Sequence, residues 1–208
     1  MILVARRLVV LVAVTLAGCQ QHDGGATCPV REDAVSCLGV CLAQDSDPGS
    51  CPDACPETDS EVLLSSPSDA LSQGDSARRL VGAINAARSA GGCCTTGECF
   101  EPAATLLEDS SLSLAARRHA TDLSLTATFD HASSNGALTA DRLLAAGYQG
   151  CSYGEDLALG IDSAAAVVDA WLASPTHCPV LLEPAFADVG IAVTEAPGGT
   201  LWVADFGG

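Results

Sequence analysis

The C-terminal two thirds of the chain predicts an α+β domain, and three observations carry that expectation. Apolar residues recur at helical spacing in several stretches from residue 75 to the neighbourhood of Trp171. Beyond them, Val189, Ile191 and Val193, then Leu201, Val203 and Asp205, alternate with their neighbours on either side of Pro197-Gly198-Gly199, the pattern of a two-stranded hairpin. Residues 75–208 are also long enough to bury one sizeable core.

Taken in order, Asp75 or Ser76 can cap a first helix in which Leu80, Val81, Ile84 and Ala87 share a face, with Gly91 and Gly92 ending it. A loop follows to about Asp109. Ser110 or Ser111 can cap a second helix to Thr126, where Leu112, Ala116, His119 and Leu123 form one stripe, so His119 is expected as a hydrogen-bonded core histidine rather than a ligand. Thr139 can cap a short helix through Arg142, Leu143 and Leu144, stopped by Gly147. Tyr148 to Asp156 reads as loop, and Leu157-Ala158-Leu159 as a short strand. Asp162 and Ser163 can cap a fourth helix carrying Val167, Val168, Trp171 and Leu172. Pro175 cannot continue that helix and pushes Ser174 out of helical geometry.

The N-terminal end sets the compartment. Arg6 and Arg7 precede a mostly aliphatic run at residues 8–16. A bilayer span needs about 20 apolar residues, so this run is too short for one and reads as an export leader, residues 1–18. Leu16-Ala17-Gly18-Cys19 resembles the lipobox of bacterial lipoproteins, in which Cys19 is acylated and becomes the first residue. The alternative is a secreted chain cut nearby, with Cys19 in a disulfide. Gln20 after the lipidated cysteine favours, by the same resemblance, the outer membrane.

Residues 19–74 read as an acidic, Cys-rich tether: from residue 20 they hold ten acidic side chains against Arg31 alone, with repeated Pro, Gly and Ser. A small disulfide knot is the other reading. Eleven cysteines leave ten once Cys19 is set aside, and no C-x2-C pair suggests zinc, so disulfides in an oxidising compartment are expected. Five fall on each side of residue 75, so complete pairing needs at least one bridge between the halves. Sixteen acidic residues against six arginines in 75–208, and no lysine anywhere, argue against nucleic-acid binding and against electrostatic adhesion to anionic lipid.

Three polar stretches escape helix and strand periodicity: Phe129-Asp130-His131, Tyr153-Gly154-Glu155-Asp156, and Ser174-Pro175-Thr176-His177-Cys178. A disulfide at Cys178 would hold His177 on a stapled loop.

Pieces spread over residues 77–207 then carry a resemblance. They are Leu80-Val81-x-x-Ile84-Asn85-x-x-Arg88, Ala116-x-x-His119-Ala120, Phe129-Asp130-His131, Asp141-Arg142 with Ala146-Gly147-Tyr148, Gly154-Glu155-Asp156-Leu157-Ala158, Trp171-x-x-Ser174-Pro175-x-His177, Val189-Gly190-Ile191 and Trp202-Val203-x-x-Phe206-Gly207. In order and spacing they resemble the CAP superfamily (cysteine-rich secretory proteins, antigen 5 and pathogenesis-related 1 proteins; the SCP domain) in its bacterial lipoprotein form. The resemblance implies an α-β-α sandwich, a small antiparallel sheet between helical layers, around a cleft of two histidines and acidic groups. His131 and His177 match the histidines and Glu155 the glutamate of Gly-Glu-Asn, while Asp156 replaces its Asn. Ser174 stands where animal and plant members have a second glutamate. By the same resemblance Cys178 pairs with Cys93 or Cys94, and Cys151 with the other of the two or with Cys99.

Two classes of function follow. In one, the chain is an envelope binding module, anchored to the membrane through Cys19, whose cleft holds a lipid, a glycan or peptide, or a divalent metal. In the other it is a metal-dependent hydrolase in which His131 and His177 bind Zn2+ or act as acid and base while Glu155 activates water. No activated serine or cysteine nucleophile is evident, since Ser133, Ser134 and Ser174 sit at loops or helix ends, so the sequence leans away from catalysis.

Overall fold

The structure is a computed structural model describing residues 10–13, 21–22, 25–26 and 67–208. Cys19 with its lipobox and the tether cysteines lie outside the described residues. Five helices are described: α1 (Pro67–Ala90), α2 (Ser110–Thr126), α3 (Thr139–Ala145), α4 (Ala164–Ala173) and α5 (His177–Leu182). The strands are β1 (Val10–Ala13), β2 (Gln21–His22), β3 (Gly25–Ala26), β4 (Gly92–Cys93), β5 (Cys99–Phe100), β6 (Leu107–Glu108), β7 (Tyr153–Leu159), β8 (Asp188–Ala196) and β9 (Gly199–Gly207).

The central sheet runs β1-β7-β9-β8-β6, antiparallel except where β6 joins β8 in parallel. Alternation along the strands sorts its two faces. Leu157, Leu201, Val203 and Ala192 pack against Ala116, Ala120 and Leu123 of α2. From the opposite face Ala158, Trp202, Ala204 and Phe206 pack against Leu80 and Ile84 of α1, Val167 and Trp171 of α4, and Leu181 of α5. Helices thus cover both faces of one sheet, which is the expected α-β-α sandwich. Gly190 lies where α2 crosses closest, and a Cβ there would enter the backbone at Leu112 and Ser113.

Several boundaries differ from the sequence expectation for identifiable reasons. α1 begins at Pro67 rather than at Asp75 or Ser76, and proline suits a first turn whose N–H has no helical partner. It does end at Gly91, with φ of 64°. The residue capping α2 is Asp109, whose Oδ1 accepts from Ser111 N at 2.8 Å and Leu112 N at 2.9 Å, so neither serine is needed. Thr139 is the first residue of α3 rather than its cap; the Leu138 N–H is taken by Asp141 Oδ2 at 2.9 Å. β7 starts at Tyr153, so Glu155 and Asp156 are strand residues, not loop. The segment after Pro175 is not a loop either: the chain resumes helix at His177, and Pro179 is tolerated in that first turn.

Two residues of the first-helix motif turn out to be clamps. Arg88 is fully buried and donates to the carbonyls of Ala104, Leu181, Glu183 and Phe186, at 3.2, 3.0, 2.7 and 3.0 Å, tying α1 to the segment around α5. Asn85 brackets Leu106, donating to its carbonyl at 3.1 Å and accepting from its N–H at 2.7 Å. Cys94 is bonded to Cys178, as the resemblance implied, and this staples the end of α1 to α5. Cys151 does not take Cys93 or Cys99, because those two close the β4–β5 turn together. Cys151 is disulfide-bonded as well.

Candidate functional site

Glu155 is the centre of the polar cluster. Its register partner across β7 and β9 is Asp205, and both point to the α2 face along with Leu157 and Val203. Around it gather His131 from the turn after α2, Thr139 and Arg142 from α3, and His119 from α2. His131 Nδ1 lies 2.5 Å from Glu155 Oε1, and Thr139 Oγ1 donates to the same oxygen at 3.2 Å. Arg142 Nη2 pairs with the other oxygen, Oε2, and also donates to Thr139 Oγ1 at 3.2 Å. Arg142 Nη1 donates to the carbonyls of His131 at 2.7 Å and Ala137 at 3.1 Å, so one guanidinium holds both the carboxylate and the turn that presents His131.

His119 supports this frame from behind. Its Nε2 donates to the Asp130 carbonyl at 3.0 Å, and its Nδ1 sits 3.1 Å from Ser133 Oγ, so the neutral ring is satisfied on both sides. Burial lowers its pKa despite the Glu155 charge, whose Oε1 is 3.9 Å away. It is thus the structural histidine that its position in the α2 stripe implies. The Asp130 side chain takes no part: it is exposed and caps the turn through the Ala132 N–H at 2.9 Å.

Burial alone would push the Glu155 carboxyl up. The His131 hydrogen bond and the Arg142 charge outweigh it, with His119 and Asp205 adding, and hold Glu155 ionised well below the usual carboxylate range. Asp205 shows the opposite response. No N–H or O–H of the protein reaches its oxygens, and burial next to the Glu155 charge raises its pKa well above the ordinary value. A hydrogen bond between the two carboxyls needs one proton, and Asp205 is the one placed to carry it.

Asp156 and His177 belong elsewhere. Asp156 points away from Glu155, to the face of Ala158, and is fully buried with no donor for either oxygen. Burial, then the neighbouring Glu155 charge, drives its pKa well up. His177 is buried at the start of α5, with Nδ1 2.7 Å from Ser174 Oγ, so the serine in the place of the family's second glutamate serves as its partner. α5 packs on that same face, where Val180 Cγ1 would lie 2.8 Å from a Cβ at Gly154. The structure therefore joins His131 to Glu155 directly, while His177 and Asp156 lie on the α5 side of β7. Among the described residues no three His, Cys, Asp or Glu side chains are grouped as metal ligands.

Arg142, Thr139 and Asp205 are site residues that sequence reasoning missed. In the sequence Arg142 stands in a short helix and in the Asp141-Arg142 piece of the resemblance, and Asp205 at one position of an alternating strand, neither with a role in the cluster; a charged residue at a core-facing position of either pattern is the available signal. Arg142 also lines an open pocket of about 240 Å³, with Arg118, Asp122, Ser133, Asn135 and Asp141.

Residues 81–206 match the profile of the cysteine-rich secretory protein family, and the chain belongs to that CAP family. Among solved structures it is similar to an extracellular protein containing an SCP domain from Bacillus anthracis, at 20% identity and a TM-score of 0.59, over 68% of this chain and 43% of that one. A cysteine-rich secretory protein from Staphylococcus aureus matches at 15% identity and a TM-score of 0.48, over 64% of this chain and 39% of that one. An outer surface protein from Borrelia burgdorferi matches at 27% identity and a TM-score of 0.46, over 49% of this chain and 76% of that one. The chain thus spans less than half the length of the Bacillus and Staphylococcus proteins. No curated protein matches it at a significant level.

Proposed function

We propose that this CAP domain is an exported binding module of the bacterial cell envelope, anchored through Cys19, that holds a lipid, glycan or peptide of the envelope at its polar cluster. One observation carries the preference for binding over hydrolysis: both Glu155 oxygens are already taken by His131, Thr139 and Arg142 in a fully buried setting. A carboxylate held so strongly ionised and shielded from solvent is a poor base for activating water. It is well suited to keeping His131 and Arg142 in fixed orientations. The disulfides support export, because such bonds persist in oxidising compartments. Among the described residues no helix is long and apolar enough to cross a membrane.

The metal-dependent hydrolase reading has one feature in its favour, the buried Nε2 of His131, which has no hydrogen-bond partner. Purified protein supplied with Zn2+ and a library of peptides and esters separates the two. The binding reading expects no turnover, alongside a lipid or glycan that travels with the protein in native mass spectra. Zn2+-dependent turnover abolished by His131→Ala would replace it with the hydrolase. The anchor is tested separately: Cys19→Ala should move the protein out of the detergent-soluble membrane fraction, and unchanged fractionation would overturn it.

A further inference from the structure

The outer edge of β7 is occupied by the chain's own residues 10–13. β1 pairs with it antiparallel, Val10 opposite Leu159, Leu11 opposite Ala158, Val12 opposite Leu157 and Ala13 opposite Asp156. β1 also touches α5, so it lies along a trough between the sheet edge and the helix that carries His177. Those four residues fall inside the run read as the export leader. If the leader is removed before Cys19, the mature protein keeps β7 and loses its neighbour.

We propose that in the mature protein this edge, residues 156–159, is a strand-addition site for an extended, apolar peptide rich in β-branched residues. The proposal rests on leader removal and is independent of what the Glu155 cluster binds. The physical case begins with the backbone. An edge strand that loses its partner presents a row of unpaired backbone donors and acceptors, a template for another extended chain. The edge lacks the usual protections against pairing: Asp156-Leu157-Ala158-Leu159 contains no proline and no lysine. The one inward charge position, Asp156, has no donor of its own and is driven toward the neutral acid, which no longer repels an apolar chain. The Trp171 indole N–H already donates to the Leu157 carbonyl at 3.1 Å, so α4 fixes the strand without closing its edge completely.

The occupant's chemistry follows from the mode of binding. Ladder hydrogen bonds supply affinity independent of side chain, and alternate side chains facing α5 supply the apolar preference. The acidic surroundings, sixteen carboxylates against six arginines from residue 75 onward, favour basic flanks over acidic ones and raise the encounter rate at low salt.

The test uses mature protein extracted from the envelope, its intact mass establishing where it begins. The probe is a synthetic peptide with the sequence of residues 8–15 and a dilysine tail. We expect saturable one-to-one binding with slowed amide exchange in β7 and none in β8. N-methylation of alternate peptide residues on one edge should weaken binding at least about tenfold, while methylation on the other edge leaves it. Absence of saturable binding, equal binding of both methylated peptides, or protection that spares β7 overturns the proposal on protein whose leader is gone. A mass that still includes residues 10–13 overturns it by the other route, through the leader-removal step. Peptide binding can fail while a native ligand still travels with the protein, so this result and the binding-module reading fail separately.

Discussion

Glu155 and Asp156 are neighbours on one strand, both completely buried and both acidic, and the fold treats them in opposite ways. Glu155 faces α2 and α3, where His131, Thr139 and Arg142 supply its hydrogen bonds, and it is held ionised. Asp156 faces the apolar layer under α4 and α5, receives no donor, and is pushed toward the neutral acid. Since alternate residues of a strand point to opposite faces, one step along β7 exchanges a prepared carboxylate site for a cost of burial. The difference teaches that charge state here is set by the donors a carboxylate is given rather than by depth.

The largest effect should come from breaking the served side. In Glu155→Ala the Arg142 guanidinium stays buried without its carboxylate, and a broken buried pair costs about 3–5 kcal/mol. Urea denaturation should show that loss together with a freed His131 turn, since Arg142 also holds the His131 carbonyl. Glu155→Gln, which keeps shape and one acceptor, should lose less. A cost under about 1 kcal/mol for the alanine variant would mean that the cluster is hydrated rather than dry.

The second effect concerns the apolar side. The Cys94–Cys178 bond, with a sequence separation of 84, ties α1 to α5 over the face of Asp156. Its replacement by Cys94→Ser with Cys178→Ser should destabilise by about 2–4 kcal/mol, because a long closed loop restricts the unfolded chain most. The Cys93–Cys99 bond spans only 6 residues, and in the same chain-entropy argument its loss should cost about 2 kcal/mol or less. Equal costs for the two would point to native-state packing rather than unfolded-chain entropy.

How much of this was legible in the sequence differs along the same division. The apolar layer was readable from periodicity: Leu80, Ile84, Val167, Trp171 and the β8–β9 alternation all face the core as their spacing implied. Of the polar cluster, His131 and Glu155 stand out as polar residues outside any periodicity, but that they meet follows only from the family resemblance, since nothing local in Phe129-Asp130-His131 says which strand it meets. Arg142 and Thr139 were placed on a short helix without a partner because their roles are long-range, and spacing carries no information on that. His177 was expected in a loop; the restart of helix after Pro175 depends on Cys94, Val180 and Leu181 packing together, a tertiary effect. Boundaries missed for a simpler reason, that Asp109 outcompetes Ser110 and Ser111 as a cap by accepting two N–H groups at once.

A smaller, opposite-signed effect should sharpen the comparison. Asp156 has a raised folded pKa, so the native state holds a proton that the unfolded chain releases above about pH 4. Stability is therefore lost as pH rises from that value toward the folded pKa. Asp156→Asn carries no such proton and should be more stable than the parent by about 1 kcal/mol at pH 7, with the gap closing below about pH 4. Thermal melts across pH 3.5 to 7.5 measure it, and a variant less stable at pH 7 than at pH 3.5 relative to the parent would show that Asp156 is ionised and paired.

The finest test is Asp205, which shares the polar face with Glu155 yet titrates like Asp156. Its proton is the link: an acid group donating to the Glu155 carboxylate helps to keep that carboxylate down while its own pKa is held up. Asp205→Asn replaces O–H by N–H as the donor, so the bond to Glu155 survives and no proton need be bound. Expected stability at pH 7 is equal to the parent or higher by less than about 1 kcal/mol, with no difference below about pH 4, where unfolded Asp is also protonated. Asp205→Leu removes the donor and should be worse than Asn at every pH above the Glu155 range. The infrared carboxylic-acid band at pH 7 should decrease in Asp205→Asn and again in the double variant with Asp156→Asn. If Asp205 were instead the ionised partner and Glu155 the acid, the band would persist in both variants and Asp205→Asn would be destabilising at pH 7. The contrast along β7 would then have to be rebuilt around a neutral Glu155.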